Sequence, residues 1–222
     1  MESSLASSTS SITIPQYPSI NTLIYYELFN ALSMLPGFII ATWAFANLTD
    51  CCVLSPMGYM IMCFGSMCYH GHNIIELINN GTYKTTAWPH RLDTICQQLG
   101  MVTYLLCYNP IWKWSLYIII AMFIATWPLN ISHPYQKHII HAVNACAIIY
   151  ISLPSIPCFI THILSFILFL VSYKIDILHG FFHFFLHFGS MFWWLKVLGD
   201  IREYPSNTCD YFTIDLKYSY II

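Results

Sequence analysis

Three histidines, His179, His183 and His187, recur every fourth residue in the segment LHGFFHFFLHFGSM and therefore stack along one face of a helix. Two imidazoles one helical turn apart can grip a single metal ion, the geometric reason H-x-x-x-H on a helix so often binds Zn²⁺. A lone histidine in an apolar helix more often hydrogen-bonds a neighbouring helix, so the metal reading needs further ligands. The segment GSMCYHGHN supplies Ser66 and His70 one turn apart on one face, and Asp93 stands at the opening of a later apolar stretch. Three neutral imidazoles and a water make a tetrahedral zinc site with an open position, the arrangement of catalytic zinc. Such an ion lowers the pKa of its water from about 15.7 to about 7 and polarises a carbonyl. Asp93 would then orient or deprotonate the water, and Ser66 would hydrogen-bond a developing oxyanion. Each also has a plainer role, helix capping for Asp93 and close helix approach for Ser66.

The elements that must carry these residues follow from composition. Of 222 residues, 57% are hydrophobic and 8% charged, against roughly a quarter charged in ordinary soluble domains, which argues against a water-soluble fold. A net charge of −2 with no basic block argues against nucleic acid as a partner. Only helices or closed barrels satisfy the backbone inside lipid, and the apolar runs here are continuous rather than alternating. The expectation is an all-α membrane protein, a seven-transmembrane helix bundle with an intramembrane metal site. Its spans are Ile24 to Leu48, Cys51 to His70, Leu92 to Tyr108, Ile111 to Trp127, His138 to Leu153, Cys158 to Tyr173 and Asp176 to Leu198. Residues 1–23 are expected to be a flexible Ser-rich tail without the marks of a secretory signal, residues 24–198 the membrane domain, and residues 199–222 a solvent-exposed C-terminal tail.

In such a bundle the end of the second span and the starts of the third and seventh lie on one membrane side. Ser66, His70, Asp93, His179 and His183 therefore share a face, with His183 roughly 10 Å inside its helix. Lys and Arg divide four against four between the two sides, so the cationic bias gives no orientation. Sequons at Asn80 and Asn130 fall on one side and Asn47 on the other. The other polar residues read as ordinary bundle furniture. His133, His138 and His141 sit near the start of the fifth span as interfacial hydrogen-bonding groups. His162 begins the sixth span on the opposite side, away from the cluster. Glu27 snorkels toward water, and Gln97, Gln98 and Asn144 are interhelical bonding candidates. The nine cysteines form no C-x-x-C pair and read mostly as small apolar filler, with Cys51 and Cys52 as boundary positions open to acylation.

The set S-x-x-x-H at Ser66 and His70, an Asp early in the next span at Asp93, and H-x-x-x-H in a seventh span at His179 and His183 resembles the CREST superfamily. That group comprises alkaline ceramidases, adiponectin and progestin receptors, and a branch with the post-GPI-attachment phospholipase and myomaker. YHGHN at Tyr69 to Asn73 and RLDTICQQLG at Arg91 to Gly100 look most like the last branch, while GSMCYH also resembles the ceramidases. The acidic, Trp- and Cys-bearing N-terminal segment with which several ceramidases bind calcium is missing here. The resemblance implies that His70, His179 and His183 are zinc ligands, with Asp93 and Ser66 as the water-activating and oxyanion-side groups. Two departures stand out. The 23-residue separation of His70 and Asp93 is long, which suggests extra loop around Asn79 to Pro89. His187 offers His183 and His187 as an alternative pair, although His179 with His183 puts Gly189 six residues after the second histidine, as in ceramidase-like patterns.

The function expected is that of an integral membrane, zinc-dependent hydrolase of a lipid amide or ester bond, with membrane lipids as substrates. Acyl chains already reside in the medium around the bundle, whereas a soluble substrate would have to leave water for it. The alternatives are a non-catalytic receptor or fusion-related protein that keeps a structural zinc, and a transporter whose histidines relay protons or a metal.

Overall fold

The computed structural model describes residues 18–48, 53–83, 87–106 and 155–203, with short helical stretches between 144 and 153. Among the described residues the chain is all-helical, without strands. The expected fourth span and most of the fifth lie outside them, as do residues 1–17 and 204–222 of the two expected tails, Cys51, Cys52, Asn130, His133, His138 and His141, whereas 20–23 and 199–203 are helical.

The first expected span is two helices end to end, α1 (Ile20–Ser33) and α2 (Leu35–Asn47). Ser19 caps α1 by accepting the Thr22 N–H at 3.2 Å. Pro36 falls in the first turn of α2, where its missing N–H costs nothing and its ring opens the joint at Met34. Helix α3 (Leu54–Asn80) has 27 residues and stops at Gly81, whose φ of 68° is the left-handed cap that glycine adopts without strain. Helices α4 (Ala87–Leu106), α5 (Ile156–Ser172) and α6 (Ile177–Glu203) complete the set.

Helix α3 packs along α4, and α5 along α6, while the α1–α2 rod lies against both α3 and α6. The rod therefore joins the two pairs. Its α2 half, the first half of α3 and the last half of α6 bury an apolar cluster that includes Met34, Ala41, Ala44, Tyr59, Met62, Trp193 and Trp194. The opposite end of the same three elements carries the polar residues. At 1.5 Å per residue, α3 and α6 are each about 40 Å long, enough to hold both ends.

The distribution of polarity is inverted relative to a soluble domain. Glu27, Asn30, Ser66, His70, Asp93, Gln98, His162, His183, His187 and Ser190 are buried, whereas large apolar side chains line the outside: Glu27 is 8% exposed and Ile39 68%. Among the described residues one helical stretch, 20–47, is long and apolar enough by itself to cross a membrane, and α5 is apolar but shorter. Helices α3 and α6 match the length, but the histidines, serines and glycines of their inward faces dilute their apolar character.

Candidate metal centre

Each predicted ligand is set by its own helix. His70 sits past the middle of α3, one turn after Ser66, and both are buried. His179 and His183 are one turn apart in the first two turns of α6. The α1–α2 rod holds α3 and α6 so that one ligand nitrogen from each of His70, His179 and His183 lies within 4.8 Å of the others. Ring centroids are 5.4 Å apart for His70 and His179, 5.8 Å for His70 and His183, and 4.7 Å for His179 and His183.

Hydrogen bonding assigns the protons. The Ser33 hydroxyl donates to the Asn30 carbonyl at 2.6 Å, so its oxygen must accept from His183 Nδ1–H at 2.7 Å. The Ser172 hydroxyl likewise donates to the Phe169 carbonyl at 2.7 Å and faces His179 Nδ1 at 3.5 Å. Glu27 accepts from His70 Nδ1–H at 2.6 Å. His70 and His183 thus carry the proton on Nδ1 and present Nε2 as the basic nitrogen, the tautomer a metal-ligating histidine needs. The residues fit a divalent metal of borderline softness, and the arrangement can hold one ion with an open coordination position.

His187 does not compete for the metal. Its Nε2–H donates to the Ser33 carbonyl at 3.0 Å, and its Nδ1 accepts from the Tyr59 hydroxyl at 2.7 Å. Both nitrogens are therefore committed, in a pocket opened by Gly37, where a Cβ would collide with the His187 ring. The alternative pair His183 and His187 is excluded by this geometry.

A cavity of about 940 Å³ opens beside the three rings. Ser66 and Asp93 line it together with the triad, so the structure brings all five predicted site residues to one space. Asp93 stands in the second turn of α4, buried, and its Oδ2 accepts from Gln97 Nε2 at 2.9 Å. It is not a helix cap. The close approach of α4 to α3 at this point depends on Gly65, where a Cβ would strike the Cys96 side chain and sit in contact with the Asp93 backbone. The lining also includes apolar side chains, among them Met34, Met62, Met101, Ile148, Phe166 and Leu186.

Three expectations need correction. Glu27 does not snorkel: it is buried and bonded to His70, because the carboxylate finds a better partner inside the bundle than outside it. His162 does not stand apart: it lines the same cavity, where Gly189 makes room for its ring, although it is not one of the three converging histidines. The long separation of His70 and Asp93 is mostly helix, since α3 runs on to Asn80 and α4 already begins at Ala87. The residues that the sequence reading missed are Ser33, Tyr59 and Ser172, together with the inward role of Glu27. Their one signal is the spacing of Glu27, Asn30 and Ser33 at three-residue intervals in an otherwise apolar run, a polar ridge on one helical face. Compared with protein-family models, with curated proteins and with solved structures, the chain finds no match.

Proposed function

We propose that the chain is an integral membrane, multi-pass hydrolase that uses Zn²⁺ to cleave an amide or ester bond of a lipid, built as the seven-helix bundle that its resemblance to the CREST superfamily implies. The observation that carries this reading is the meeting of three imidazoles, His70 and His183 held with Nε2 as the basic nitrogen, beside a buried carboxylate and a serine in one cavity. The inverted polarity supports the membrane setting, since the outer faces of the helices are apolar and the interior holds the ionisable groups.

His70, His179 and His183 would hold the ion. A zinc ion there supplies Lewis acidity and water of lowered pKa. The remaining chemistry belongs to the chain. Asp93, with one oxygen held by Gln97, presents its carboxylate to the cavity to orient a water and take its proton. Ser66 offers a hydroxyl to the oxyanion that forms as the carbonyl is attacked. The apolar part of the cavity receives the acyl chain and excludes bulk water, so a membrane lipid fits where a hydrophilic substrate would not.

A zinc kept only for structure favours a fourth protein ligand, and His187, the next histidine along the same helix face, is bonded to Tyr59 and Ser33 instead. This favours the catalytic reading over a receptor or fusion protein with a structural ion. The test is a release assay with labelled ceramide, phospholipid and GPI-type substrates on purified protein, wild type against Asp93→Asn. Turnover of one class by the wild type, with metal retained and turnover lost in the variant, is expected. A zinc-loaded wild type that cleaves none of them would overturn the enzymatic reading.

A further inference from the structure

Helix α1 donates no metal ligand, yet its inward ridge touches two of the three. Glu27 Oε2 lies 2.6 Å from His70 Nδ1, and Ser33 Oγ lies 2.7 Å from His183 Nδ1. Glu27 is itself held in place. Asn73, on α3 one turn beyond His70, donates to its Oε1 at 3.2 Å, and the Tyr83 phenol also hydrogen-bonds it. Burial and the Glu27 charge raise the pKa of Tyr83, which keeps that phenol a donor. A buried carboxylate that receives three donors from two segments is costly to build. Such a group persists where it performs a task that a leucine on the same helix face cannot. We propose that Glu27, assisted by Ser33, is a positioning residue of the metal centre: it locks His70 in the Nδ1–H tautomer and fixes the ring direction, thereby setting metal affinity.

The proposal rests on the metal reading of the triad but not on hydrolysis. A carboxylate on the remote nitrogen of a ligating imidazole raises the basicity of the other nitrogen and removes the cost of choosing a tautomer on binding. Glu27 has the geometry for this, and α1 couples His70 on α3 to His183 on α6 through a single rigid element.

The experiment measures the Zn²⁺ Kd of the full chain in detergent by competition with a chromophoric chelator, alongside the Tm of the metal-free protein. Glu27→Leu is expected to weaken binding by about 10- to 100-fold. Glu27→Gln, which still accepts from Nδ1–H, is expected to recover most of that loss. Glu76→Gln, an acidic position on α3 that meets Asn80 instead, should leave the Kd unchanged. If Glu27→Leu does not fold, Ser33→Ala takes its place and should weaken binding through His183. A folded Glu27→Leu with wild-type affinity, or a Gln variant as weak as Leu, would overturn the positioning role alone. A wild type that binds no zinc would overturn the metal reading and this inference with it.

Discussion

Replacing Tyr59 by Phe removes one hydroxyl and keeps the ring, and the consequence can be worked out atom by atom. The Ser33 carbonyl can only accept, so His187 must place its proton on Nε2, and Nδ1 is left to accept from Tyr59 at 2.7 Å. His187 is 1% exposed, so water cannot replace the lost donor. The edge contact of the Tyr59 ring with Trp194, centroids 5.2 Å apart, survives in Phe. The buried Ser190, whose side chain also hydrogen-bonds the phenol, loses a partner as well, so the cost is at least that of one buried acceptor without a donor, about 1–3 kcal/mol. For a chain of this length each kcal/mol moves Tm by about 2–4 °C, so a fall of roughly 2–12 °C is expected. Because His187 lies outside the metal centre, the Zn²⁺ Kd should not move. Thermal unfolding of the metal-free protein in detergent, paired with chelator competition, measures both quantities. An unchanged Tm would mean the hydrogen bond is not made, and a Kd weakened by about tenfold or more would put His187 among the ligands.

Replacing His179 and His183 together by Ala should abolish the uptake of about one Zn²⁺ per chain measured by elemental analysis; a double variant that still loads zinc would contradict the site. In the wild type, free Zn²⁺ at 100 times Kd should add about 2.7 kcal/mol of stability, readable as a rise in Tm that the double variant lacks. Ser66→Ala should lower lipid turnover by about 10²- to 10³-fold with the metal retained, the usual consequence of losing one oxyanion donor. Gly65→Val should destabilise the α3–α4 packing by about 1–3 kcal/mol and reduce turnover more than zinc binding, because the side chain would push against Cys96 and the Asp93 backbone but not against a histidine.

The sequence carried the short-range part of this site and lost the long-range part. Ser66 with His70 and His179 with His183 are helical repeats within one element, legible from spacing alone. The choice between His179 and His187 was not legible, since both stand one turn from His183 and only their partners, Ser172 and Tyr59, tell them apart. Glu27 was misread because its partner is 43 positions away and no local pattern announces it. The helix that carries the second expected span runs beyond His70 to Asn80, and His72 and Asn73 on that extension line the cavity, which the apolar pattern did not announce. Helix α4 likewise begins at Ala87, ahead of Leu92 where the third expected span opens, since Pro89 is harmless in a first turn. The all-helical class followed from composition, which needs no knowledge of pairing.

The bridging α1–α2 rod has a consequence for biogenesis. Ser33 and His183 are 150 positions apart, so a nascent chain completes its first helix long before the last one leaves the ribosome. Until then Glu27 and His70 have each other, Asn73 and Tyr83 but neither α6 histidine, and the apolar end of the rod has no α6 tryptophans to receive it. A truncation anywhere ahead of α6 would leave the acid–imidazole pair without the helix that packs beside it, the kind of lesion that cellular quality control removes.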